Sequence, residues 1–261
     1  MSTVVGQRIW LVGASSGIGA ALAEELHHRG AIVAISARRA DRLEEVSRGR
    51  LASVTLDVTD RDAARGAAEQ VRTLLGRIDT VIWCAGYWKS FEATDWQADE
   101  FAQHVRVNLL GLNNVIDATV PQMVAERSGH LVGVASVAGY RGLSGGEAYG
   151  ATKAAQINLL ESMRASLSTA DVQVTTVCPG FVRTEMTEAN SFPMPFIIDV
   201  EEAATSIADG LEEETIEIVF PWRMALTMKL ARVLPVRVWA ALTRRIARSS
   251  TGAHDGRGAV R

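Results

Sequence analysis

Short, almost wholly apolar β-branched runs alternate along this chain with longer amphipathic segments, and that alternation leaves few folds open. Strands are predicted at "RIWLVG", "AIVAIS", "LASVTL", "DTVIWC", "HLVGVAS", "VQVTTVC" and "IEIVF". Between them, helical spacing runs over 17–28, ended by Gly30, then over 40–48, 61–75, 99–125, 149–168 and 201–213. Short strands separated by long helices need crossover connections, and these produce a parallel sheet. Strand runs that are apolar on both faces need helices covering both. The expected fold is α/β, a doubly wound, seven-stranded parallel sheet in a single domain over residues 1–221. A basic helical extension over 222–248 and a flexible, small and polar tail over 249–261 are expected to follow. Ligands of such sheets gather at the carboxyl ends of the strands, where the motifs below fall.

Composition narrows the function classes. At 261 residues and 48% hydrophobic, the chain can bury one large core, and it contains no repeat. Cys84 and Cys178 lie inside apolar runs, which predicts buried free thiols in a reducing compartment rather than a disulfide framework. The N-terminal residues run into the first strand without a signal pattern. No apolar run reaches the roughly 18–20 residues a membrane span needs. A cytoplasmic location is expected, with no metal site and no nucleic-acid partner.

The first strand runs into "GASSGIG", with Gly13, Gly17 and Gly19, and then into a helix. Glycines there allow a tight turn and close approach of backbone amides to a pyrophosphate, and the helix N-terminus adds partial positive charge. A dinucleotide site for NAD would place an acid about 20 positions beyond the glycines, to hold the ribose hydroxyls. Ala37 stands there instead, followed by Arg38 and Arg39. A missing carboxylate beside guanidinium groups favours a 2′-phosphate, hence NADP(H). The alternative is that both arginines are ordinary solvated charges.

In "EAYGATK", Lys153 follows Tyr149 one helical turn along the same face. A phenol with a pKa of about 10 is a poor base at neutral pH. A neighbouring ammonium, together with the charge of an oxidised nicotinamide, is expected to lower that pKa. Ser136 closes the fifth strand, where its hydroxyl can hydrogen-bond a substrate oxygen that gains charge. These residues give an acid/base site in which Tyr149 is the acid for reduction and the base for oxidation.

The GxxxGxG spacing together with "EAYGATK" resembles the short-chain dehydrogenase/reductase family, a Rossmann-type fold, over about residues 7–220. The resemblance implies Asn108, Ser136, Tyr149 and Lys153 as the catalytic set, with Asn108 holding a water in a proton relay to the lysine. It implies nucleotide contacts from Gly13, Ser15, Ser16, Gly17, Ile18 and Gly19, and from Arg38, Arg39, Ala85 and Gly86. Asp57 and Val58 would border the adenine; an N-cap role for a nearby Asp or Thr is the alternative reading. Pro179, Gly180 and Thr184 would face the nicotinamide, and Val182 would offer backbone groups to its carboxamide. Many family members form dimers or tetramers through the helices at 99–125 and 149–168, so a homo-oligomer is expected. Two positions depart from the pattern: Val12 replaces the usual threonine, and "WCAG" at 83–86 replaces "NNAG".

Substrate contacts are expected from loops 137–147 and 185–199. The second carries Met186, Phe192, Met194, Phe196, Ile197 and Ile198, which suits a lid over a lipophilic ketone or alcohol. Reduction of 3-oxoacyl chains or long-chain keto-lipids is the narrower alternative. Anchoring of the loop by its own apolar residues is the structural one. A catalytically silent NADP-binding sensor or scaffold is the non-enzyme alternative, and it would not require Ser136, Tyr149 and Lys153 together.

Charge is divided unevenly. Residues from Trp222 onward hold nine Lys/Arg and one acid, a net +8, against −11 for the rest. Two helices are predicted there, separated at Leu234–Pro235. The second groups Trp239, Leu242 and Ile246 on one face and Arg237, Arg244 and Arg248 on the other. Such a helix suits peripheral contact with the inner face of an anionic membrane, or packing on the body or a second subunit.

Overall fold

Seven strands pair in the order β3-β2-β1-β4-β5-β6-β7, every pair parallel, in a computed structural model that describes residues 3–188, 190 and 192–251. They are β1 (Arg8–Val12), β2 (Ile32–Ala37), β3 (Ala52–Thr55), β4 (Thr80–Trp83), β5 (Gly129–Val134), β6 (Val172–Pro179) and β7 (Glu217–Phe220). The crossovers carry α1 (Gly17–His28), α2 (Ala40–Ser47), α3 (Arg61–Leu75), α4 (Ala98–His104), α5 (Gly111–Glu126) and α6 (Glu147–Leu167). After β6 come α7 (Glu185–Glu188) and α8 (Val200–Glu212), and after β7 come α9 (Trp222–Val233) and α10 (Val236–Thr251).

The strand alternation sorts the core into two layers. Ile9 and Leu11 of β1 pack with α1 and α8 through Leu22, Leu26, Ile207 and Leu211. Trp10 and Val12 point the other way, toward Val71, Leu112, Val115 and Leu160. Each such side chain contributes about 1.5–3 kcal/mol when fully buried, so both faces of the sheet hold the fold together. Trp83, the first residue of "WCAG", is fully buried in the second layer, where a side chain at Gly111 would press on its ring. Its indole N–H has no acceptor among the described residues.

The helix expected over 99–125 is interrupted. Between α4 and α5 lies a π-turn over Val105–Leu110, which contains Asn108. The tail forms two helices, and α10 extends through Thr251, past the expected end at 248. Of the tail expected over 249–261, residues 252–261 lie outside the described residues. A third, smaller apolar cluster joins α9 to the sheet through Met224, Met228, Cys178, Tyr140 and Val137.

Candidate active site

Strand order reverses between β1 and β4, so their following loops part and leave a crevice at the carboxyl edge of the sheet. A cavity of about 390 Å³ occupies it. Its lining gathers Gly13, Ser15, Ser16, Gly17, Ile18 and Gly19 from the first turn with Arg38 and Arg39 after β2. Val58, Ala85 and Gly86 line it as well, as do Ser136, Tyr149 and Lys153. Pro179, Gly180, Val182 and Thr184 complete the set. Asp57 and Asn108, both expected at the site, are not part of this lining.

The first turn is shaped for an anion. Gly13 has φ +97°, and a Cβ there would fall 2.3 Å from the Ala85 nitrogen, so only glycine lets β1 pass this close to the "WCAG" turn. Ser16, at the N-cap of α1, makes no side-chain capping bond, which leaves the first amides of a twelve-residue helix open to a pyrophosphate.

The two arginines differ. Arg39 donates to the Ser15 and Ser16 hydroxyls, at 3.1 and 2.9 Å, and to Glu185 on α7 at 3.4 Å. Arg38 is exposed on the cavity and forms no ion pair among the described residues. Ala37 stands in the lining where an NAD site would carry an acid, and Glu185, in the same lining, pairs with Arg39, so the donor set fits a ribose that carries a phosphate. Asp57 has a local role: its Oδ1 accepts from the Thr59 amide at 2.9 Å and hydroxyl at 2.8 Å. Burial acts to raise the Asp57 pKa, but those bonds outweigh it and hold the carboxyl low. The neighbouring Asp60 caps α3 through Asp62 and Ala63.

At the other end, β5 presents Ser136 and the start of α6 presents Tyr149 and Lys153. The Ser136 hydroxyl accepts from the Ala138 amide at 3.1 Å and donates to the Pro179 carbonyl at 3.4 Å. Lys153 is 3% exposed and its Nζ lies 5.5 Å from the centre of the Tyr149 ring. Trp88 packs edge-on against the same ring at 5.1 Å and donates through Nε1 to Asn190 at 3.0 Å.

From the protein's own groups, burial and the Ser136 hydroxyl act on the Tyr149 phenol in opposite directions. Burial pushes the phenol up to about 12, and a hydrogen bond with Ser136 offsets only part of that rise. The ammonium lies off the ring centre while the surroundings exclude water, so desolvation of the phenolate decides the sign. Burial also pushes Lys153 down to about 8. At neutral pH the phenol therefore keeps its proton and the amine is mostly charged.

Asn108 serves the site from behind. Its Oδ1 accepts from the Tyr87 amide at 2.7 Å, and its Nδ2 donates to the Tyr87 carbonyl and the Thr152 hydroxyl, both at 3.0 Å. Thr152 in turn donates to the Tyr149 carbonyl at 2.8 Å. The turn after β4 is thereby pinned to α6 without the usual asparagines. Sequence reasoning missed Trp88, Gln156 and the Val134 carbonyl, which accepts from Lys153 Nζ at 2.8 Å. Only the helical spacing of Gln156 from Lys153 could have signalled it.

The two expected substrate loops are held differently. Ile198 is buried and bridges Val182, so one end of 185–199 is anchored to the body. Met186 lines the cavity, Phe192 leans on Phe181 at 6.0 Å, and Phe196 (φ +59°) lies under Arg223 at 5.1 Å. Loop 137–147 is clasped by the C-terminal helices. Arg141 donates to the Ala231 carbonyl at 3.0 Å and also to that of Leu234, and Trp239 donates to the Gly142 carbonyl at 3.0 Å. Tyr140 donates to Glu217 at 2.6 Å, and Lys229 pairs with the other oxygen of that carboxylate at 2.7 Å.

A profile described as short chain dehydrogenase matches residues 7–193. The chain is similar to an uncharacterised oxidoreductase of Myxococcus xanthus, 36% identical over 242 residues that cover 90% of this chain and 96% of that one. It is similar to a second, from Staphylococcus aureus, 34% identical over 216 residues that cover 81% and 94%. Among solved structures, it resembles a short chain dehydrogenase from Burkholderia cenocepacia in complex with NADP. That pair has a TM-score of 0.79 and 27% identity, over 93% of this chain and 98% of the other. It also resembles a short-chain dehydrogenase from Streptomyces avermitilis, with a TM-score of 0.78 and 25% identity over 94% and 99%.

Proposed function

Because the chain belongs to the short-chain dehydrogenase family, we propose that it is an NADP(H)-dependent oxidoreductase interconverting a carbonyl and a secondary alcohol on a lipophilic molecule. The observation that carries this reading is one cavity whose lining holds Arg38, without an ion pair among the described residues, beside Ala37, together with Ser136, Tyr149 and Lys153. The complete trio argues against a catalytically silent sensor, which would need only the nucleotide half.

NADPH would lie along the glycine turn, with its pyrophosphate on the α1 N-terminus, its 2′-phosphate on Arg38 and its adenine against Val58. Its nicotinamide would reach Pro179, Gly180 and Thr184, and when bound it supplies the hydride. The chain does the rest. Ser136 orients the substrate oxygen, and the Tyr149 hydroxyl donates its proton to that oxygen as charge develops on it. Lys153 places positive charge behind the phenol, so the phenolate left by proton transfer is stabilised. A phenol that stays protonated at neutral pH suits reduction of the ketone better than oxidation of the alcohol. Trp88, against the Tyr149 ring, and Met186, in the cavity lining, supply apolar surface around the reacting centre, which fits an acyl or long-chain ketone. A panel of ketones graded in chain length, followed by NADPH absorbance, is expected to show turnover that rises with apolar length. No NADPH oxidation with any member would refute the assignment.

The reading also includes self-association through the helices at 98–126 and 147–167, and contact with an anionic membrane. An exposed apolar row lies on α9; on α10, Val236, Val238 and Leu242 are also exposed, while Trp239 turns inward to Gly142. Met224, Met228 and Ala231 face the body, while Trp222, Leu226, Leu230 and Val233 recur at helical spacing and are exposed. The side chains of Ile246 and Arg248 lie outside the described residues. Exposed Arg223, Arg237 and Arg244 supply the charge that anionic headgroups attract. No helix among the described residues is long and apolar enough to cross a membrane, so the contact would be peripheral. Full-length protein is expected to pellet with phosphatidylglycerol vesicles and not with phosphatidylcholine vesicles. Leu226→Glu with Leu230→Glu should leave it in the supernatant, and equal pelleting of the two proteins would reject this surface.

A further inference from the structure

Gln156 is 1% exposed, on the face of α6 that carries Lys153 three residues earlier. A buried amide must place all its hydrogen-bonding atoms or lose stability. Its Oε1 accepts from Lys153 Nζ at 3.0 Å, and its Nε2 donates to the main-chain carbonyl of Asn108 at 2.5 Å. The sense of the amide is set by chemistry. Turned over, it would oppose two carbonyl oxygens on one side and its NH₂ to an ammonium on the other.

The same contacts restrain the lysine. An ammonium has three N–H donors. One goes to the Val134 carbonyl at the end of β5 and one to Gln156, which leaves one for the cavity. A free lysine arm samples many rotamers, and two fixed acceptors on different elements reduce that spread toward a single position. The other groups acting on Lys153 are weak or neutral. Tyr149 stands on the same helix, Ser136 follows β5, and the Cys84 and Cys178 thiols, both pushed up to about 11 by burial, stay neutral. Burial displaces Lys153 downward, and no carboxylate is among the groups that act against it.

We propose that Gln156 is a positioning residue: it fixes the Lys153 ammonium beside Tyr149 by tying it to the main chain of the π-turn at Asn108. The amide supplies an oxygen to the ammonium without neutralising it, and it transmits the position of Asn108 to the acid/base pair. A direct side-chain bridge thus spans from the π-turn to the lysine. The inference rests on the acid/base reading of Tyr149 and Lys153.

Gln156→Met keeps the length of the side chain and removes the acceptor, so the charged amine loses support and its pKa falls. Gln156→Glu places a carboxylate there, and the pKa rises. The chain has only three lysines, Lys89, Lys153 and Lys229, so 13C-labelled lysine gives few ε-methylene signals to assign. In the full-length protein, the titration midpoint of Lys153 is expected to move down by about one pH unit in Gln156→Met and up in Gln156→Glu. With a turned-over ketone, kcat at pH 8 should fall about tenfold in Gln156→Met, with KM for NADPH within about twofold. Either variant decides alone, since each has its own sign. A midpoint that stays put in the folded variant, or shifts in the same direction in both, overturns the proposal. Because the titration needs no substrate, a wild-type protein inert to every ketone would defeat the reaction and leave this test standing.

Discussion

Tyr149→Phe is expected to lower kcat for NADPH-driven ketone reduction by about 10²–10⁴-fold, the usual share of a positioned general acid. The substitution removes one oxygen. The ring keeps its edge contact with Trp88, and the backbone bond from Thr152 is untouched, so the cleft keeps its shape. NADPH affinity, read by quenching of protein fluorescence, should stay within about threefold. This pairing separates chemistry from binding: a ligand-binding protein would show two nearly identical titrations and no turnover to lose. Retention of more than a tenth of wild-type kcat would remove Tyr149 from its role. The wild-type pH profile gives a second check. A phenol near 12 keeps its proton throughout the neutral range, so the decline of reduction at alkaline pH should follow Lys153, near 8.

The second large effect is on cofactor choice. Arg38→Ala should raise the Kd for NADPH by about 5- to 150-fold, the range for losing hydrogen bonds to a charged group, and leave NADH within about twofold. Arg38 is the better candidate because it forms no ion pair among the described residues, whereas Arg39 is already engaged by Ser15, Ser16 and Glu185. The guanidinium is exposed, so salt should weaken the wild-type preference and have little effect on the variant. Affinities measured at two ionic strengths would show this. An unchanged NADPH-to-NADH ratio would return Arg38 to the class of solvated surface charges.

The strands were legible because they are buried on both faces, so each appears as an unbroken apolar run that no surface helix would tolerate. That Tyr149 and Lys153 would face one cavity was legible because their spacing is one helical turn. The π-turn was not. Its extra residue changes the hydrogen-bond register and leaves no mark in composition, so "VRVNLL" looks like ordinary helix. Gln156 was hidden for a related reason. A helical glutamine is normally on the surface, and only the approach of the π-turn buries it. The outward face of α9 could not be chosen either. Met224, Met228 and Ala231 repeat with the same period as Leu226, Leu230 and Val233, and periodicity alone cannot say which row meets the sheet.

The clasp between the last two helices and the loop joining Ser136 to Tyr149 bears on how the protein is made. Arg141 and Gly142 find their partners only in residues 231–239, which leave the ribosome after every strand has been synthesised. A nascent chain can complete the sheet and its nucleotide crevice while this loop still lacks its clasp. The sheet therefore precedes, during synthesis, the clasp on the loop between Ser136 and Tyr149. A frameshift or early stop after β7 would remove both the clasp and the α9 side chains that pack beside Cys178 and Gly180.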